Sequence, residues 1–187
     1  MSTDSPYPSD TKHPDSPRLP LPIRIVLVRP CGAGNIGSVA RVMRNFGLGA
    51  LYLVSPRADH LGLEARAMAC SALGILDGAQ IVDSLPAALH ECRWVCGTTA
   101  RVGERRRAEL TARTAARQAG QLLPAAFVFG PEDSGLSGEE LNLCHAVVSI
   151  PTAPELRSLN LAQSVGIVAY ELWNAPGTED RGEEALG

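Results

Sequence analysis

Residues 125–129 (AAFVF) and 146–150 (AVVSI) constrain the fold of this 187-residue chain more than any other feature. Both runs are short and almost wholly apolar. A half-exposed strand alternates apolar and polar residues, so uninterrupted runs of this length read as strands buried on both faces, as in a parallel sheet. Each run stops at a loop carrying polar residues that a core does not need. After the first come Gly130, Glu132 and Asp133; after the second, Glu155, Arg157, Ser158 and Asn160. Open parallel sheets bind ligands outside the carboxyl ends of their strands. The two loops are therefore the first candidates for one site.

The remaining chain fits the same architecture. IRIVLV at 23–28 reads as a buried strand, followed by the loop CGAGNIG and a helix over 36–46, with Ile36, Val39, Val42, Met43 and Phe46 on one face. A strand at 51–54 follows, then a helix over 63–73 closed by Gly74, and a short strand at 79–82. Ser84 is placed to cap the next helix, with Pro86 in its first turn. A strand at 93–97 leads to a helix around 109–122. Ser137 and Glu140 have the spacing of a capping box, and Ser158 or Asn160 is placed to cap the long helix that runs to Trp173. Strands and helices alternate throughout, which predicts an α/β fold with a parallel sheet flanked by helices. We expect one domain over 23–174, a Pro/Ser/Asp-rich disordered leader over 1–22 and a flexible acidic tail over 175–187.

Several function classes lose support at once. No apolar run approaches the ~20 residues of a membrane span, so a soluble protein is expected. The leader lacks the apolar segment of a signal peptide, and its aspartates argue against a transit peptide. Cys31, Cys70, Cys92, Cys96 and Cys144 form no CxxC pair, and His60, His90 and His145 are scattered, so no metal site is expected. The cysteines read as buried or half-buried thiols of a reducing cytoplasm. GAGNIG lacks the dinucleotide-binding spacing, no acidic residue ends the second strand, and there is no GK[ST] of a P-loop. The net charge of −3 does not point to nucleic acid, but its distribution does: residues 101–117 hold six Arg against two Glu. Such a run is either a solvated helix face or an RNA-facing patch.

Four strand ends supply polar loops able to converge on one crevice: GAGN, GTTAR, FGPED and IPTAPELRSLN. With GNIGSVARVMRNFGL, FGPEDSGLS and IPTAPELRSLNLAQSVGIVAYELW in that order, the chain resembles the SPOUT-class RNA 2′-O-methyltransferases, the TrmH-like group, and within it the TrmJ branch. The resemblance runs from Ile23 to Trp173.

It implies a SPOUT fold whose carboxyl-terminal part is tied in a trefoil knot, a homodimer, and S-adenosylmethionine as methyl donor. The implied reaction is 2′-O-methylation of an RNA ribose, foremost cytidine or uridine 32 in a tRNA anticodon loop. Another tRNA or rRNA nucleotide, or a non-catalytic RNA-binding protein of the same fold, are the alternatives. The cofactor would be held by Thr98, Thr99, Ala100, Gly130, Ile150, Ser158 and Leu159, with Gly130 allowing close backbone approach. Asn35, Arg41, Glu132, Ser158 and Asn160 would carry the chemistry, with Asn35 bonding first-turn amides at its helix start. Arg101, Arg105, Arg106 and Arg107 would hold RNA, because the TrmJ branch carries an extension after the last helix whereas only 14 residues follow Trp173 here. Deprotonating a guanidinium at neutral pH costs roughly 9 kcal/mol, so Arg41 is expected to act as a charged group on the 2′-hydroxyl and a neighbouring phosphate. Leu161, Val165, Val168 and Leu172 form a stripe that serves either the partner helix of a dimer or the chain's own core.

Overall fold

A computed structural model describes residues 22–100 and 109–175. Residues 1–21 of the expected leader, the tail beyond Ala175, and Arg101, Arg105, Arg106 and Arg107 lie outside the described residues. Seven parallel strands form one sheet in the order β3-β2-β1-β6-β4-β7-β5. They are β1 (Ile23–Val28), β2 (Ala50–Val54), β3 (Gln80–Val82), β4 (Trp94–Thr98), β5 (Glu109–Leu110), β6 (Ala125–Phe129) and β7 (Ala146–Val148).

The central strands β1 and β6 are apolar at every position except Arg24, because each face of the sheet has its own core. Ile23, Ile25 and Leu27 of β1 and Ala125, Phe127 and Phe129 of β6 point to the larger one. That core is filled by α1 (Ala33–Asn45), α2 (Leu63–Ala69), α3 (Leu73–Asp77), α5 (Ala112–Gln121) and α7 (Leu161–Trp173). Val26, Val28, Ala126 and Val128 point the other way, against α4 (Leu85–Leu89) and α6 (Gly138–Asn142). Registry is continuous across the middle: Ile25 pairs with Leu51 on one side and Phe127 on the other.

The sequence reading needs correction at several points. Helix α1 begins at Ala33, three residues early, with Gly32 as an N-cap that has no side chain to offer. The helix expected over 63–73 is broken at Cys70, whose φ of 52° is left-handed, and resumes after a 3₁₀ turn over Cys70–Ala72. Gly74 lies inside α3, which ends instead at Gly78. Strand β5 was not expected; two residues carry no periodicity, and it exists only by pairing with β7. Ser84 occupies the N-cap of α4 without accepting a side-chain bond. Cys31 and Cys70 are exposed, not buried. Asn160, rather than Ser158, caps α7, in a capping box with Gln163. The α7 stripe is also resolved: Leu161, Val165, Val168 and Leu172 are all buried within the chain's own core, where α7 packs on α1 and α5.

Candidate active site

Strands β4, β6 and β7 are neighbours in the sheet, so the loops after them leave from adjacent carboxyl ends. They enclose a cleft of about 290 Å³. All seven residues expected to hold a cofactor line it: Thr98, Thr99 and Ala100 after β4, Gly130 after β6, and Ile150, Ser158 and Leu159 after β7. The Thr98 hydroxyl donates to the Val128 carbonyl (3.1 Å) and the Thr99 N–H to the Val148 carbonyl (3.0 Å), which ties the first loop to both neighbouring strands.

Gly130 is required by the loop's own backbone. A Cβ there would lie 2.3 Å from the Gly135 carbonyl carbon and from the Leu136 nitrogen. The glycine is required because the loop 130–136 folds back onto its own first residue.

Glu132 ties this loop to α1. Its Oε2 accepts the Cys31 N–H (2.9 Å), and its Oε1 accepts the Gly32 N–H (3.1 Å) and the Asn35 side-chain amide (2.9 Å). The carboxylate thus meets the positive end of the helix dipole, where the side-chain-free N-cap leaves donors in need of a partner. Burial works against its charged form, but the Cys31 N–H, the Asn35 amide and the Gly32 N–H together outweigh burial. They hold the Glu132 carboxyl below its ordinary range. An ionised carboxylate with three donors on it is an anchor rather than a proton carrier at neutral pH.

From Asn35 the network continues to α7. The Asn160 side-chain amide donates to Asn35 Oδ1 (2.9 Å), while Asn160 Oδ1 accepts the Ala162 N–H (2.9 Å) as the helix cap. Asn35 therefore does not bond first-turn amides of its own helix, as its sequence position suggested; it bridges Glu132 and Asn160. Three of the five expected catalytic residues form one chain of hydrogen bonds. Ser158 lines the cleft two residues from Asn160. Arg41 does not line it. Six residues beyond Asn35, it sits about 9 Å further along the helix axis, exposed, with Nη1 3.5 Å from Cys70 Sγ.

Sequence reasoning missed a second tie across the rim. Arg57, in the loop after β2, reaches Asp133 (3.2 Å) and Cys31 Sγ (3.5 Å). The Ser134 hydroxyl also donates to Asp133 (2.8 Å), and with Arg57 it lowers that carboxyl's pKa. Arg57 stands in SPRAD, just past the end of the second strand, where no periodicity marks it. Among the described residues no cluster of three His, Cys, Asp or Glu side chains is placed to hold a metal.

Known proteins with this arrangement are readily found. The chain is 44% identical over 153 residues to a tRNA (cytidine/uridine-2′-O-)-methyltransferase TrmJ of Pectobacterium atrosepticum, a match taking in 80% of this chain and 63% of that protein. It thus spans less than two thirds of that relative's length. The crystal structure of TrmJ from Z. mobilis ZM4 superposes with a TM-score of 0.76 at 36% identity, covering 83% of this chain and 69% of that one. A structure described as giving insight into the 2-OH methylation of C/U34 on tRNA superposes at 0.66 with 28% identity, over 85% of this chain and 97% of that one. A sequence profile of the SpoU rRNA Methylase family matches residues 22–170, nearly the whole described fold, and the chain belongs to that family.

Proposed function

We propose that this chain methylates the ribose 2′-hydroxyl of an RNA nucleotide, using S-adenosylmethionine, and that its substrate is a tRNA. The observation that carries the reading is the convergence of the three strand-end loops on one cleft, with the Glu132–Asn35–Asn160 chain fixing their relative positions. The cleft's size is close to the lower end of small-molecule sites, ~300 Å³. Its walls combine threonine, serine and aliphatic groups with Glu132, Asp133 and Arg157, a mixture suited to a nucleoside with polar substituents. Thr98, Thr99, Ala100, Gly130, Ile150, Ser158 and Leu159 would hold the cofactor. When bound, it supplies a methyl group activated by a sulfonium, so the protein's task is alignment and charge stabilisation.

Glu132, Asn35 and Asn160 hold the walls, and Ser158 lines the cleft from the loop that ends at Asn160. Arg41 acts on the 2′-hydroxyl as a charged group. Because it stands away from the cleft of its own chain, either the RNA or a second copy of the chain brings the two together. A homodimer supplies that second copy. Arg101, Arg105, Arg106 and Arg107 provide further positive charge for RNA.

Several finer features belong to the same reading. Strand β6 lies between β1 and β4, and β7 between β4 and β5; this interleaving of late strands among early ones supports a trefoil knot in the carboxyl-terminal part. One catalytic domain over 23–174 accounts for the continuous core, and five cysteines outside any disulfide suit a reducing cytoplasm. The target is a pyrimidine of the anticodon loop, position 32 by the TrmJ likeness. The test is incubation with bulk tRNA and methyl-labelled S-adenosylmethionine, followed by mapping of 2′-O-methyl sites. Label at ribose 32 is expected, and label at 34 redirects the target. RNA binding with no incorporation on any natural RNA overturns the enzymatic reading.

A further inference from the structure

Three charged side chains line the cleft: Glu132, Asp133 and Arg157. The first two are already engaged. Glu132 holds the Cys31 and Gly32 N–H groups and the Asn35 amide, and Asp133 holds Arg57 and Ser134. Arg157 differs. Among the described residues its guanidinium has no ion pair and no hydrogen bond, and its one link is through its backbone carbonyl, which accepts the Thr152 hydroxyl (3.2 Å). Of the other arginines, Arg29, Arg57, Arg66 and Arg113 pair with carboxylates; Arg44, Arg93 and Arg117 are exposed like Arg157, but none of them lines the cleft.

We propose that Arg157 binds a phosphate of the substrate RNA, the one attached to the ribose whose 2′-hydroxyl is methylated. This rests on the functional reading above and adds a residue to it. Arg157 directly precedes Ser158 and stands three residues before Asn160, the end of the hydrogen-bonded chain that fixes the site. An anion held there is thus positioned against the cleft itself. In a nucleotide the 3′-phosphate is carried on the carbon next to the one bearing the 2′-hydroxyl, so gripping that phosphate also places the hydroxyl. The planar fork of arginine suits phosphate oxygens in pairs. The side chain is exposed, on the open side from which a macromolecule arrives. On a chain of net charge −3, an uncompensated cation at the cleft mouth offsets the repulsion a polyanion would meet.

The experiment compares wild type, Arg157→Gln and Arg157→Lys, with Arg66→Gln as a control at an arginine already paired. RNA binding is measured over a series of salt concentrations, S-adenosylhomocysteine affinity by calorimetry, and methylation in single turnover. Arg157→Gln is expected to lower the slope of log K against log[salt] by about 0.7, one single-strand phosphate contact. Half-saturating RNA should rise about tenfold, the loss of one charge-assisted contact. Arg157→Lys should restore the slope but only part of the methylation rate. Affinity for S-adenosylhomocysteine should not change. Tenfold weaker cofactor binding with an unchanged salt slope overturns the proposal and assigns Arg157 to the cofactor's carboxylate. No change in either measurement overturns it in favour of a solvated surface charge. A wild-type protein that neither binds nor methylates RNA removes the underlying reading as well, and is told apart because the failure precedes any substitution.

Discussion

Asn35 and Asn160 stand 125 residues apart in the chain, yet their side chains meet in a 2.9 Å hydrogen bond. Neither has a spare role. Asn160 uses its oxygen to cap α7 and its amide to reach Asn35, and Asn35 passes the link on to Glu132. The starts of α1 and α7 and the loop after β6 are thereby fixed to one another by the protein's own side chains. This is the preorganisation that a methyl transfer needs, since its reacting atoms must be held in line.

Because the link is pairwise, a double-mutant cycle measures it. Asn160→Ala loses the helix cap and the bridge, and caps are worth about 1 kcal/mol. Asn35→Ala loses the bridge and the contact to Glu132. The coupling between them, read from denaturant unfolding, should be about 0.5–1.5 kcal/mol. Additive effects would mean that the two amides do not support each other in solution.

Glu132 gives the network a pH signature. Its folded-state carboxyl is held below the ordinary range, so its contribution is present above the unfolded-state value, ~4.3, and is lost as pH falls through the folded value. Glu140 behaves alike: burial opposes its charge, but Arg29 and the Ser137 N–H outweigh that and lower its pKa. Glu132→Gln should lower stability at neutral pH and flatten the acid limb only in part, leaving the share due to Glu140. Denaturant midpoints followed from neutrality to about pH 3 check this. Parallel curves for the two proteins would show that Glu132 does not sense its partners.

Much of this was legible in the sequence, for physical reasons that differ from element to element. The strands β1 and β6 were readable because burial on two faces leaves them apolar but for Arg24, whose guanidinium reaches the Ala88 and His90 carbonyls. Helix α6 was readable because the Ser137–Glu140 capping box is local. The seven cleft residues were named through family resemblance, and the loop positions agree with the rule for parallel sheets. What escaped was set by tertiary contact. The start of α1 moved because Glu132, 100 residues away from Gly32, meets the donors there. Strand β5 forms only against β7, and the Arg57–Asp133 tie joins loops that no periodicity connects.

Gly130 also separates folding from binding. Since its missing Cβ would collide with the backbone of Gly135 and Leu136, Gly130→Ala must displace main chain rather than a flexible side chain. A cost of about 1–3 kcal/mol is expected without any ligand, the usual range for overpacking. Wild-type stability together with lost S-adenosylmethionine affinity would return the glycine to a ligand-approach role.

Burial of the α7 stripe moves the dimer question to the helix's other side. There Ile167 and Tyr170 are 37% and 55% exposed, and Tyr170 stands edge-on to Phe46 at 6.2 Å. If α7 meets a second copy, sedimentation at micromolar concentration gives twice the 19.7 kDa chain mass. Tyr170→Glu, which places a charge in an apolar contact, should return it to the single-chain value. A wild-type protein that sediments as one chain refutes the homodimer.

Arg41 tests chemistry apart from binding. It stands outside the cleft, so Arg41→Ala should leave S-adenosylmethionine affinity nearly unchanged, as calorimetry would show. If the guanidinium stabilises charge on the 2′-hydroxyl oxygen, single-turnover methylation at saturating RNA should fall at least ~10²-fold, the scale of losing one preorganised donor. Arg41→Lys should recover little of it, because an ammonium cannot offer a planar fork to hydroxyl and phosphate together. Its observed neighbour is a thiol, Cys70 Sγ at 3.5 Å, not a carboxylate, so the charge is free to act on an incoming anion. Cys70→Ser therefore serves as a companion variant that disturbs the resting contact and leaves the guanidinium in place; its rate should stay near wild type. Near wild-type methylation by Arg41→Ala would reduce the arginine to a surface contact and leave Ser158 and the fixed walls of the cleft to carry the reaction.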